Sequence, residues 1–142
     1  MKEISKVKWL NKMAFDIELN EHHFTIDADS KFGGDDRGPK PKGLLLSSLA
    51  GCTGMDVVSI LKKMKIDDYK LDISAEGELT DEHPKIYHTI NLVYNFTGKN
   101  LPENKIIKAV ELSETRYCGV SEMLRKASKI KTKILLNGDE IK

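Results

Sequence analysis

The run from Leu44 to Leu61 reads LLLSSLAGCTGMDVVSIL and carries one charge, Asp56. A helix over Leu44–Met64 spans about 31 Å at ~1.5 Å per residue, and it is apolar nearly all round until Lys62 and Lys63. Such a rod is buried on all sides in a protein or lies in a bilayer. The carboxylate of Asp56 near its middle, among several serines and two glycines, is costly in lipid. The sequence therefore predicts a buried helix of a soluble protein, with no membrane partner. One small sheet does not wrap a rod of that length, so a second copy of the chain is expected to cover part of it. Gly51 and Gly54 each cost about 1 kcal/mol in a helix interior, and the close approach of another backbone is the expected compensation.

A chain of 142 residues can bury its own core, and residues 1–142 read as a single domain. Lys and Arg number 23 against 22 Asp and Glu. That balance gives no footprint for nucleic acid or an anionic surface. Only Arg37, Arg116 and Arg125 supply guanidinium groups. Two cysteines, Cys52 and Cys118, are too few for a secreted disulfide scaffold. The N-terminal residues have no apolar signal core, so a cytoplasmic location with reduced thiols is expected.

Strands and helices alternate along the chain in an α+β pattern. Strands are predicted over 4–10, 13–19 and 23–28, forming an antiparallel meander, with Met13, Phe15, Ile17 and Leu19 on one face. A Gly- and Pro-rich loop covers 32–43. Its Gly38 and Gly43 have phosphate-loop spacing, but Leu44-Leu45 stands where Lys and Ser or Thr are needed, which excludes a nucleotide site. After the central helix come strands over 69–79 and 86–96, helices over 103–115 and 120–127, and a last strand over 129–136. Leu71, Ile73, Ala75, Gly77 and Leu79 read as the inward row of the first of these strands. Ile86, His88, Ile90, Leu92, Tyr94 and Phe96 read as that of the second.

None of the histidines His22, His23, His83 and His88 has metal-ligand spacing, and no cysteine is near one in sequence. His88 reads as a hydrogen-bonded inward residue, and no metal or cofactor is expected. Lys129, Lys131 and Lys133 share one strand face without interleaved aromatics, the pattern of edge protection. The thiols are the best reactive groups. Cys52 lies inside the central helix, with Asp56 one turn on, where a carboxylate disfavours a thiolate. Cys118 lies at a helix start, a place that favours one. Burial as inert core residues is the competing reading for both.

Two segments together resemble the signatures of the OsmC/Ohr family. The first is Gly38-Pro39-Lys40-Pro41 followed by Leu44 through Met64, around Cys52; the second joins Ala109–Ser113 to Tyr117-Cys118-Gly119-Val120-Ser121. The resemblance implies an intertwined homodimer of α+β subunits, with antiparallel sheets packed on the long central helix. It also implies reduction of organic hydroperoxides in oxidative-stress defence. Cys52 would be the peroxidatic thiol and Cys118 the resolving thiol. Arg37 would be the candidate activating cation, and a cellular dithiol, lipoyl- or thioredoxin-like, the reductant. The chain departs from the family's peroxidases at Gly43, where they carry a Glu that orients the Arg, and at Gly119, where relatives often have Pro. Gly43 keeps open a second reading, a non-catalytic or weakly active protein on the same dimeric scaffold that holds a small apolar ligand at the dimer interface, its cysteines unreactive.

Overall fold

The computed structural model describes residues 1–142, which divide into two compact units, Met1–Leu45 and Leu46–Lys142. The first unit is a three-stranded antiparallel meander in the order β1-β2-β3, with β1 Ser5–Asn11, β2 Ala14–Leu19 and β3 His22–Ile26. The turn between β2 and β3 places Asn20 and Glu21 at positive φ, the geometry that matches the twist of a tight hairpin. The expected alternation in β2 holds at Ile17, which is buried, and fails at the strand's start. Met13 sits in the turn before β2 and is exposed, Ala14 is buried, and Leu19 at the strand's end is exposed; a bulge between Trp9 and Asn11 shifts the register of β1 against β2. Every residue of β1 is exposed within the chain.

The loop after β3 is tied by one buried carboxylate. Asp27 accepts backbone N–H groups from Ala28 at 2.8 Å and from Asp35 and Arg37 at 3.1 Å each. Its glycines are required by close packing. A Cβ on Gly34 would stand 2.0 Å from the Ala28 oxygen, and one on Gly38 would stand 1.9 Å from the Thr25 oxygen.

The helix α1, Leu44–Lys63, starts at the boundary and runs on into the second unit. That unit has a four-stranded sheet in the order β4-β5-β6-β7, with β4 Lys70–Leu79, β5 Tyr87–Thr97, β6 Lys129–Leu136 and β7 Asp139–Glu140. Strands β4 and β5 pair antiparallel, whereas β6 runs parallel to β5 from Thr89↔Lys129 to Phe96↔Leu136. The sheet is thus mixed, a departure from wholly antiparallel pairing. A parallel return needs a long crossover, which α2 (Glu103–Leu112), the π-type turn Ser113–Tyr117 and α3 (Gly119–Arg125) supply. Asn137 and Gly138, both at positive φ, then turn the chain into the short β7.

The core joins Leu49, Val57 and Leu61 of α1 to Ile90, Leu92, Tyr94 and Phe96 of β5 and to Ile106 and Val110 of α2. In helix α1 only the stripe Leu49, Thr53, Val57 and Leu61 is fully buried. Although the helix is long and apolar enough to cross a membrane, this stripe packs into a protein core. The opposite face leaves Met55 78% and Val58 46% exposed, so the chain by itself buries one side of the rod. At Gly54 the close neighbour is a side chain, since a Cβ there would lie 3.0 Å from Ile73 Cδ1. Beyond the helix's own neighbouring backbone, nothing lies within 4 Å of a Cβ built on Gly51.

The expected inward row of β5 holds from Ile90 to Phe96. It fails at His88, which is exposed and pairs through Nδ1 with Thr89 Oγ1 at 2.9 Å. A bulge opposite Glu78 and Leu79 reverses the alternation there, leaving Ile86 and Leu79 exposed as well. Tyr87 takes the inward place beside Gly77, where a Cβ would stand 2.3 Å from its ring.

Candidate active site

Helical periodicity puts Cys52 and Asp56 on one face of α1, one turn apart. The long crossover returns Cys118 to that face. The two sulfurs and a carboxylate oxygen of Asp56 all lie within 4.8 Å of one another. The sequence-predicted cysteine pair is therefore brought together, and both thiols are free. They differ in access, because Cys52 is half-buried and Cys118 is only 3% exposed.

Cys118 caps α3, and its sulfur accepts the Ser121 N–H at 3.2 Å. The start of this helix does not make the thiol acidic, contrary to the expectation from its position. Burial pushes it up to about 11, and the neighbouring Cys52 adds to the rise through a side-chain hydrogen bond. The N–H groups of Ser121 and Val120 offset only part of this.

Ser113 fixes the spacing between the two thiol-bearing elements. Its carbonyl accepts the Cys118 N–H at 2.8 Å. Its hydroxyl faces Asp56 Oδ2 at 3.0 Å and the Thr53 carbonyl at 3.4 Å. The π-type turn that begins at Ser113 re-aims the backbone between α2 and Cys118. Ser113 was not singled out from the sequence, where it is one small residue at a helix end. Behind it, Glu114 Oε1 accepts the Tyr94 phenol at 3.1 Å and the Thr132 hydroxyl at 2.7 Å. Burial, with the nearby Glu114 and Cys118 charges, keeps the Tyr94 phenol protonated far beyond its ordinary range, against a smaller opposing effect of Thr53. On the Asp56 side a cavity of about 390 Å³ is lined by Asp56, Ser59, Ile60, Lys63, Leu112 and Tyr117.

Arg37 belongs to the N-terminal unit, where its side chain has partners of its own. Its Nε lies 3.4 Å from Asp27 Oδ2, and its Nη2 donates to Asn11 Oδ1. Burial raises Asp27, but the N–H groups of Ala28, Arg37 and Asp35, then the Arg37 side chain, outweigh it and hold the carboxyl below its usual range. At Gly43 a Cβ would meet nothing nearer than the Lys40 oxygen at 3.8 Å, an ordinary contact distance.

The sequence pattern described as OsmC-like protein matches residues 33–133, both cysteine segments included. The chain belongs to the OsmC-like family. It is 34% identical over 127 residues to protein YhfA of Escherichia coli strain K12, covering 89% of this chain and 92% of that one. A crystal structure of a hypothetical protein from Aquifex aeolicus VF5 is similar to it over 99% of both chains, with TM-score 0.85 and 28% identity. The organic hydroperoxide resistance protein OhrB of Bacillus subtilis shares the fold at 19% identity and TM-score 0.61, over 94% of this chain and 98% of that one.

Proposed function

We propose that this OsmC-like protein reduces organic hydroperoxides with two cysteines. The observation that carries the reading is the pair of free thiols of unequal access, held within one disulfide's reach by Ser113. Cys52, the more accessible, attacks the distal peroxide oxygen as a thiolate. The O–O bond breaks, the alkoxide leaves as the alcohol after taking a proton, and Cys52 becomes a sulfenic acid. The Cys118 sulfur then attacks Cys52, water leaves, and a disulfide forms. A cellular dithiol of lipoyl or thioredoxin type restores both thiols and is itself oxidised to a disulfide. This chemistry suits a reducing compartment such as the cytoplasm.

Two further assignments belong to the same reading. A homodimer covers the open face of α1 at Met55 and Val58. Arg37 is the candidate activating cation, as the family resemblance implies, although no carboxylate stands at Gly43 to orient it. Arg37→Lys keeps a cation while removing the planar fork. Slower alkylation of Cys52 in that variant supports the assignment, and an unchanged rate removes it.

The deciding experiment is steady-state reduction of an organic hydroperoxide with a dithiol, comparing wild type with Cys52→Ser. Turnover lost in the variant supports the reading; equal rates overturn it. A second reading, a non-catalytic apolar-ligand binder, is favoured by the open groove of about 720 Å³ along Gly51, Gly54, Met55, Val58, Leu71 and Ile73. It predicts no turnover in wild type and ligand binding that survives Cys52→Ser.

A further inference from the structure

Cys52, Asp56 and Cys118 also form a ligand set. Two thiol sulfurs and a carboxylate oxygen within 4.8 Å of one another match the donor types that hold a borderline-soft d10 cation. A tetrahedral zinc ion with Zn–S near 2.3 Å and Zn–O near 2.0 Å separates its ligand atoms by roughly 3.5–3.8 Å. The trio therefore closes on an ion through side-chain shifts of about 1 Å or less. No backbone movement is needed, because Cys52 and Asp56 share one helix face and Cys118 is held by Ser113.

Groups around the trio orient the ligands. Ser113 Oγ donates to Asp56 Oδ2 and so fixes the orientation of the carboxylate. The Ser121 N–H on the Cys118 sulfur stabilises its deprotonated form when an ion displaces the proton. Three protein ligands leave one tetrahedral position for water. Histidine spacing gave no sign of this site, since Cys118 comes to it from a distant stretch of chain.

We infer that the reduced protein binds one zinc-class divalent cation through Cys52, Asp56 and Cys118. Binding replaces two S–H protons with two metal–thiolate bonds and releases two protons to solvent, with no change in oxidation state. The bound ion occupies both thiols and so protects them from oxidation and alkylation. This inference does not rest on the hydroperoxide reading, because a metal-binding dithiol needs no peroxide.

The test is a titration of the reduced full-length chain with Zn2+ in competition with a chromophoric chelator, with protons counted in a weakly buffered pH indicator. The expected result is one ion and about two protons per chain, with tenfold or greater weakening in Asp56→Asn. Cys52→Ser and Cys118→Ser should each abolish competition with the chelator. Wild type with Cys52 capped by iodoacetamide should behave as Cys52→Ser does, which gives a control free of any substitution. Binding that persists with Cys52 capped, or undiminished binding in Asp56→Asn, overturns the site. No competition by wild type overturns it too. Hydroperoxide turnover is measured separately, so a failed titration with intact turnover sinks the metal site alone, and the converse sinks the peroxidase alone.

Discussion

Ser113 has no exposed surface, and its single hydroxyl proton faces both Asp56 Oδ2 and the Thr53 carbonyl while its own carbonyl anchors Cys118. Ser113→Ala leaves a partly buried carboxylate without that donor, which costs about 1–3 kcal/mol of stability by urea denaturation. It also loosens the spacing of the two sulfurs. Disulfide closure after one equivalent of hydroperoxide is expected to slow about tenfold, equivalent to roughly 1.4 kcal/mol, while the first attack at Cys52 keeps its rate. Equal slowing of both steps would assign Ser113 a general structural role. Cys118 supplies a second prediction. Its thiol is pushed up to about 11 by burial and by Cys52, so at neutral pH it is almost wholly protonated. The attacking species is the thiolate, so closure should accelerate about tenfold per pH unit below that value. The same shift lowers stability in base. The folded chain holds this proton more tightly than the unfolded one, so its stabilising contribution is present at neutral pH and is lost as pH rises through about 11. Stopped-flow kinetics and urea midpoints from pH 7 to 10 read the two effects, and a flat closure rate would mean that Cys118 is not the resolving thiol. The cysteines themselves were legible as reactive candidates. Their surroundings were not, because a helix start and a buried core make opposite demands on Cys118, and only the packed structure shows which one dominates.

At the scale of elements, the loop between β3 and α1 depends on Asp27. Its carboxyl is held below the usual range by the N–H groups and Arg37 that outweigh the effect of burial. The folded state therefore takes up this proton at lower pH than the unfolded state, whose carboxyl titrates near 3.9. The stabilisation is present above about pH 4 and is lost as pH falls through the folded value. Urea midpoints from pH 7 down to 3 should decline in wild type and decline less in Asp27→Asn, and parallel curves would remove Asp27 from the account. The positions of the elements themselves were largely readable. The period-two rows placed β2, β4 and β5 to within a residue or two, and the apolar run placed α1. What was missed has local causes. The bulge opposite Glu78 reverses an alternation that a sequence pattern assumes to be regular, which misplaced His88, and Met13 belongs to the turn ahead of β2. The parallel pairing of β6 depends on the path of α2 and α3 over the sheet, and no residue within β6 records it. The π-type turn at Ser113 looks like ordinary helix in sequence, since Thr115 and Arg116 break no helical rule.

For the whole molecule the open face of α1 sets the last prediction. The sequence expects a rod covered on all sides, and the single chain covers one. Met55 and Val58 stand exposed beside Gly51, where nothing beyond the helix's own neighbouring backbone lies within 4 Å of a Cβ position. A glycine that costs helix stability without an internal neighbour is accounted for if another backbone approaches there. An apolar strip on a 20-residue helix, continuous with the groove along Leu71 and Ile73, is the kind of surface that isologous dimers bury. We therefore expect a symmetric homodimer in solution. Met55→Asp and Val58→Asp separate this from a monomer with an ordinary exposed helix. In a monomer Met55→Asp alters stability by no more than about 0.5 kcal/mol, because that side chain is largely in water, and Val58→Asp by somewhat more, because Val58 is 46% exposed. In the dimer each buries an unpaired carboxylate twice across the two-fold axis, and dissociation should strengthen by about 100-fold or more, equivalent to roughly 2.8 kcal/mol. Light scattering at micromolar concentration should give twice the 16.0 kDa chain mass for wild type and a falling mass for both variants on dilution. A wild-type monomer with native circular dichroism would remove the dimer and leave Gly51 without a packing reason.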